Sequence, residues 1–90
     1  MVAITVVLFN GDKTVKRRTL RTRIQLVAAF KVLTLIKGVL EAGVPVTHGY
    51  VYVYNSKRPI DISTFKPLVE NHSPIPIEVI AEKPAQEVKA

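Results

Sequence analysis

The ninety residues predict an α+β chain in which a mixed four-stranded sheet packs on one long helix, with elements in the order ββαββ. Three observations carry that expectation. Val2 to Phe9 is dense in β-branched and aromatic residues and runs into Asn10-Gly11, a pair that tolerates positive φ and marks a hairpin. Ile24 to Ala42 is apolar at most positions, interrupted by Gln25, Lys31, Thr34, Lys37 and Glu41, of which the last three keep to one narrow helical face. Gly49 to Tyr54 and Ile75 to Ala81 each alternate with period two, as half-buried strands do.

The returning arm of the hairpin, Thr14 to Leu20, reads TVKRRTL. Its two apolar residues, Val15 and Leu20, lie at opposite parity, so a bulge or an early strand end is expected, and the strand is largely solvated, as at a sheet edge. Thr22 and Gln25 have capping-box spacing and are expected to start the helix, which Gly43 and Pro45 stop. Leu26, Val27, Phe30, Leu33, Leu35, Ile36, Val39 and Leu40 give that helix more apolar surface than one small sheet covers. The loop from Val44 to Thr47 and the C-terminal third are expected to bury the surplus, with self-association as the alternative.

In the next strand Val51 and Val53 should face the helix, leaving Tyr50, Tyr52 and Tyr54 on the other side. Asn55 to Pro59 reads as a turn, and Ser63 is expected to cap a single helical turn through Phe65, Leu68 and Val69. Asn71 to Pro74 is then a loop before the last strand. Residues 1–82 form one domain on this reading, and the charged, Pro-containing stretch 83–90 a flexible tail.

Thirteen Lys and Arg residues against seven Asp and Glu give a formal charge of +6, which favours an anionic partner: an acidic protein face, nucleic acid or an anionic membrane surface. Without cysteine the chain has no disulfide, thiolate metal site or thiol nucleophile, and a cytoplasmic location is the default. The run from Val2 to Phe9 lacks the basic flank of a signal peptide, and lysines inside the apolar stretch argue against a membrane span. His48 and His72, both expected in loops, have no ligand-spaced neighbours, and the acids are scattered. No catalytic residue, metal site or cofactor is therefore assigned.

Lys13, Lys16, Arg17, Arg18, Arg21 and Arg23 concentrate six cations in eleven residues, with Asp12 the one acid beside them. On a strand Lys16 and Arg18 project to one side, Arg17 and Arg21 to the other. Charged edges deter strand-to-strand aggregation, but one or two lysines suffice for that. Arginines capable of bidentate contact point further, to carboxylate or phosphate. Tyr50, Tyr52 and Tyr54, with Lys57 and Arg58 just beyond, can stack on unpaired bases, pack across to neighbouring strands or anchor a protein partner.

The order of elements is that of the β-grasp fold. GYVYVYNSKRPID followed by STFKPLVENHSPIPIEVIAE resembles the ubiquitin-like run of strand, basic turn, short helical turn, loop and final strand, over residues 2–82. Ubiquitin and the sulfur carriers end in Gly-Gly, whereas Gly11, Gly38, Gly43 and Gly49 are never adjacent here, so conjugation and sulfur transfer are not expected. The resemblance implies instead a non-catalytic docking module. Ras-binding and related domains of that superfamily meet an acidic partner with basic residues of the second strand, which implies such a role for Lys16, Arg17, Arg18 and Arg21. Two partner classes stay open, an acidic protein surface and single-stranded nucleic acid.

Overall fold

The computed structural model describes residues 2–54 and 61–82. The turn expected over 55–59 and the tail expected from 83 lie outside them. The elements are β1 (Val2–Asn10), β2 (Lys13–Thr22), α1 (Gln25–Glu41), β3 (His48–Tyr54), α2 (Phe65–His72) and β4 (Ile77–Glu82). The α+β class and the mixed four-stranded sheet are as expected, but the helical layer holds two helices rather than one.

The first turn is shifted by one residue from the expected pair. Asn10 pairs with Lys13, so Gly11 and Asp12 make the loop, and of these only Gly11 has a positive φ, +64°. Glycine at the first central position is the type II′ requirement, whose twist suits a hairpin. Along β2 the register slips between Leu8, which faces Lys16, and Phe9, which faces Thr14. Val15 is the extra residue, and this bulge resolves the parity conflict with Leu20: both side chains pack against the core.

The sheet order is β2-β1-β3-β4, antiparallel except for the parallel pair β3/β4. β4 adds to the outside of β3, so the first and last strands are not neighbours; the β-grasp likeness stops at the order of elements along the chain. Ile4, Val6 and Leu8 of β1, Val51 and Val53 of β3, and Ile77 and Val79 of β4 are buried on the helix side. Each such side chain contributes about 1.5–3 kcal/mol when fully buried.

Facing them are Ala28, Ala29, Val32 and Ile36 of α1 with Phe65 and Val69 of α2. The small alanines let the start of α1 sit close on the sheet, which turns its larger neighbours outward. Ile24, Leu26, Val27 and Phe30 are 59%, 53%, 41% and 60% exposed, so neither the 44–47 loop nor the described part of the C-terminal third buries this part of the surplus. The expected capping box does not form. Ile24 is the N-cap without a side-chain bond, the Thr22 hydroxyl closes a local loop with the Ile24 N–H and carbonyl, and Gln25 donates to the Asp61 carbonyl. β2 runs to Thr22, which commits that residue to the sheet. The helix stop is as expected: Gly43 takes φ +82°, and the Ala42, Gly43 and Val44 N–H groups close on the carbonyls of Gly38, Leu40 and Val39.

α2 is two turns long and includes Asn71 and His72, expected in a loop. Ser63 does not cap it; its N–H donates to Asp61 Oδ1 at 2.9 Å, and that bond holds the Asp61 carboxyl below its ordinary pKa. Pro67 is tolerated because it stands in the first turn, where its missing N–H has no intrahelical partner to lose. His48 likewise starts β3 rather than lying in a loop.

Candidate functional site

The two edges of the sheet are built differently. On β4, Lys66 Nζ donates to the Val79 carbonyl at 3.0 Å, and Glu70 Oε2 accepts from the Val79 N–H at 2.8 Å. The two side chains, one helical turn apart on α2, are also paired with each other at 2.7 Å. This pair occupies backbone groups that an added strand would use, and the Lys66 bond draws the Glu70 carboxyl below its ordinary pKa. Among the described residues nothing pairs with the outer edge of β2.

β2 sorts its cations by register. Lys16 lies opposite Leu8 and Arg18 opposite Val6, on the helix side; Arg17 lies opposite Val7 and Arg21 opposite Ala3, on the face that no helix of the described residues covers. Lys13 stands at the hairpin end and Arg23 between β2 and α1, both exposed. Lys66–Glu70 is the one ion pair among the described residues, so none of the six cations has an acidic partner there.

On the helix side β2 and α1 enclose an open groove of two adjoining hollows, about 530 and 430 Å³, that share Thr34 and Leu35. Leu20, Val27 and Phe30 line the first hollow with Arg18 and Lys31, while Val15, Val39 and Val44 line the second with Lys16. Among the described residues the lining is thus apolar with cations on both walls and no acid. Lys31, Val27 and Phe30 belong to this surface although they were not among the residues assigned from the sequence. The signal was the surplus of apolar side chains on the helix, and which of them stay outside depends on Ala28 and Ala29 facing in.

The uncovered face carries the aromatic residues. Tyr50, Tyr52 and Tyr54 lie there as expected, but half-buried by their neighbours rather than exposed, while Val51 and Val53 are fully buried beneath. Phe9 stacks on His48 at 5.2 Å and 9°, Tyr50 meets both edge-on at 5.8 and 5.7 Å, and Tyr50 lies 6.3 Å from Tyr52 at 27°. Phe9 and His48 extend the tyrosine row although the sequence reading left them out; the pairing of Phe9 with His48 across β1 and β3 is what joins them. Across the strands the register gives the rows Arg17–Val7–Tyr50–Glu78 and Thr19–Thr5–Tyr52–Ile80, and sets Arg21 beside Ala3 and Tyr54. The Thr5 and Thr19 hydroxyls are bonded at 3.2 Å.

Of the residues assigned from the sequence, the structure thus divides the strand cations between two surfaces and gives Tyr50, Tyr52 and Tyr54 to one of them. Lys57 and Arg58 lie outside the described residues. Among those described, no group of three or more His, Asp and Glu side chains is placed to hold a metal ion, and no helix is long and apolar enough to cross a membrane. No family model, curated protein or solved structure matches the chain.

Proposed function

We propose that the chain is a non-catalytic binding module that docks an acidic protein segment on its basic second strand. The observation that carries this reading is the contrast between the edges: the Lys66–Glu70 pair occupies backbone groups of β4, while among the described residues β2 is open and its cations have no acidic partner. An extended segment laid along β2 would gain main-chain hydrogen bonds from the strand and bury apolar side chains against Leu20, Val27, Phe30 and Leu35. Its carboxylates would meet Arg18 and Lys31, which also steer the encounter. The reading stands on the surface and does not require ubiquitin-like ancestry.

A second copy is a poorer occupant of the same surface. Arg18 and Lys31 line the same hollow as the exposed Val27 and Phe30, so a symmetric contact would bring cations together.

The test is fluorescence titration with a nine-residue Glu/Leu peptide, Leu-Ser-Glu-Ser-Leu-Ser-Glu-Ser-Leu, whose leucines and carboxylates fall on one face of an added strand. Binding is expected to be lost when Arg18 and Lys31 are both replaced by Glu, to weaken in Phe30→Ser, and to be absent for a Lys/Leu peptide. Binding that ignores these substitutions, or concentration-dependent sedimentation as a dimer that Phe30→Ser abolishes, would remove the reading.

A further inference from the structure

The groove leaves half of the basic strand unused, because Arg17 and Arg21 point to the opposite side of the sheet. That side has its own construction. Its centre, on β1 and β3, is aromatic: Phe9 stacked on His48, then Tyr50 and Tyr52. Its β2 margin is cationic through Arg17 and Arg21, and its β4 margin carries the exposed carboxylate of Glu78 in line with Tyr50. Between the arginines Thr19 and Thr5 keep the surface low, and Ala3 does the same between Arg21 and Tyr54.

We infer that this uncovered face is a platform for single-stranded nucleic acid, with the sugar-phosphate backbone along the β2 margin and the bases over Tyr50 and Tyr52. Unpaired bases stack on aromatic rings without regard to sequence, and arginines beside the rings neutralise phosphates. The polarity of the face sets the orientation. A backbone on the β4 side would pass Glu78, whereas on the β2 side it meets Arg17 and then Arg21. From Tyr50 to Tyr54 the strand advances about 14 Å at 3.4 Å per residue. That length suits the two or three bases that sheet aromatics typically stack.

A protein partner explains this face less well. The threonine pair and the alanine leave shallow relief between the arginines and the rings. A duplex suits the face less well, since its paired bases offer no open face to the rings. The inference rests on side chains other than those of the acidic-segment reading, because Arg17 and Arg21 face away from the groove that Arg18 and Lys31 line.

The experiment is fluorescence anisotropy of fluorescein-labelled oligo(dT) of twelve residues with the intact chain, at several salt concentrations. Tyr52→Ala is expected to weaken binding roughly 5- to 150-fold for one lost stacking partner. Tyr52→Phe, which keeps a ring, should hold the wild-type affinity. Arg17→Gln and Arg21→Gln should each lower the log–log salt slope by roughly 0.7. Both arginines are exposed, so neither substitution should move Tm by more than a few degrees, which a thermal melt checks. Arg18→Gln, on the other side of the strand, should leave the slope unchanged.

Equal losses from Arg18→Gln and Arg17→Gln would mean diffuse attraction by net charge and would overturn the inference. So would equal affinity for an oligo(dA)–oligo(dT) duplex of the same length, or no binding at low salt. If instead Arg17→Gln and Tyr52→Ala abolished capture of the Glu/Leu peptide while the oligonucleotide failed to bind, this face would be a protein-docking surface and the inference would fall.

Discussion

A Cβ placed on Gly49 would lie 2.7 Å from Leu8 Cδ2, 2.8 Å from Ile77 Cδ1 and 2.9 Å from the Val7 carbonyl oxygen. One of these contacts is backbone, in the central strand, so relief requires moving β1 against β3 rather than turning a rotamer. Gly49→Ala is expected to destabilise the chain by about 1–3 kcal/mol, the usual cost of overpacking. A calorimetric scan reads this directly, since 1 kcal/mol lowers Tm by roughly 4–8 °C in a domain of this size. Phe30 is the opposite case. Its ring is 60% exposed, so Phe30→Ser should leave Tm within a few degrees of wild type while weakening the Glu/Leu peptide. A large fall in Tm would show that the ring is a structural residue and not a docking one. Both assignments depend on neighbours distant in sequence. Nothing in the local run HGYVYVY distinguishes a glycine crowded by two strands from one at a loose strand start.

At the scale of elements, the pair on α2 does two things for β4: it fastens the helix to the strand, and it occupies groups that would otherwise invite another chain. Glu70→Gln keeps the shape but removes the charge that Lys66 and the Val79 N–H stabilise. It should cost about 1 kcal/mol at neutral pH, a charge-assisted bond at a partly exposed site. The pH dependence has a definite sign. Glu70 is held below its ordinary value, so its contribution is complete above about pH 4.5 and fades as pH falls through the lower, folded-state value. Urea melts of wild type and Glu70→Gln should therefore differ at pH 7 and converge toward pH 3. A constant difference across that range would place the effect in packing rather than charge. The elements themselves were largely legible: β-branched density and the hairpin signal located β1, and periodicity located β3, β4 and the body of α1, because burial on one face imprints directly on the residue pattern. The short helix was under-read as a single turn, since its eight residues contain Pro67 and a polar end, and tertiary contacts to β4 sustain what local propensity does not.

At the scale of the molecule, the order of elements along the chain does not determine which strands are neighbours. The alternation in IEVIA is the same whether β4 lies beside β1 or outside β3, so the sheet order could not be read from it. The candidate surfaces share that limit: parity alone separated Lys16 and Arg18 from Arg17 and Arg21, but only the sheet order and the seating of α1 say what each pair faces. Once those are known, the alternation of one edge strand gives the chain two cationic surfaces that can be switched off separately. The double variant Lys16→Glu, Arg18→Glu should lose the Glu/Leu peptide and keep much of the oligo(dT) affinity, whereas Arg17→Glu, Arg21→Glu should do the reverse. Neither should lower Tm, because all four side chains are exposed and lie in a chain of charge +6, where reversing two charges relieves self-repulsion. Long-range attraction is common to both surfaces, so each double variant should also slow the association of the other ligand, and that slowing should vanish with added salt. The dissociation rates should keep the two surfaces apart. If each variant accelerates dissociation of both ligands equally, β2 presents one undivided field and the division by register has no functional meaning.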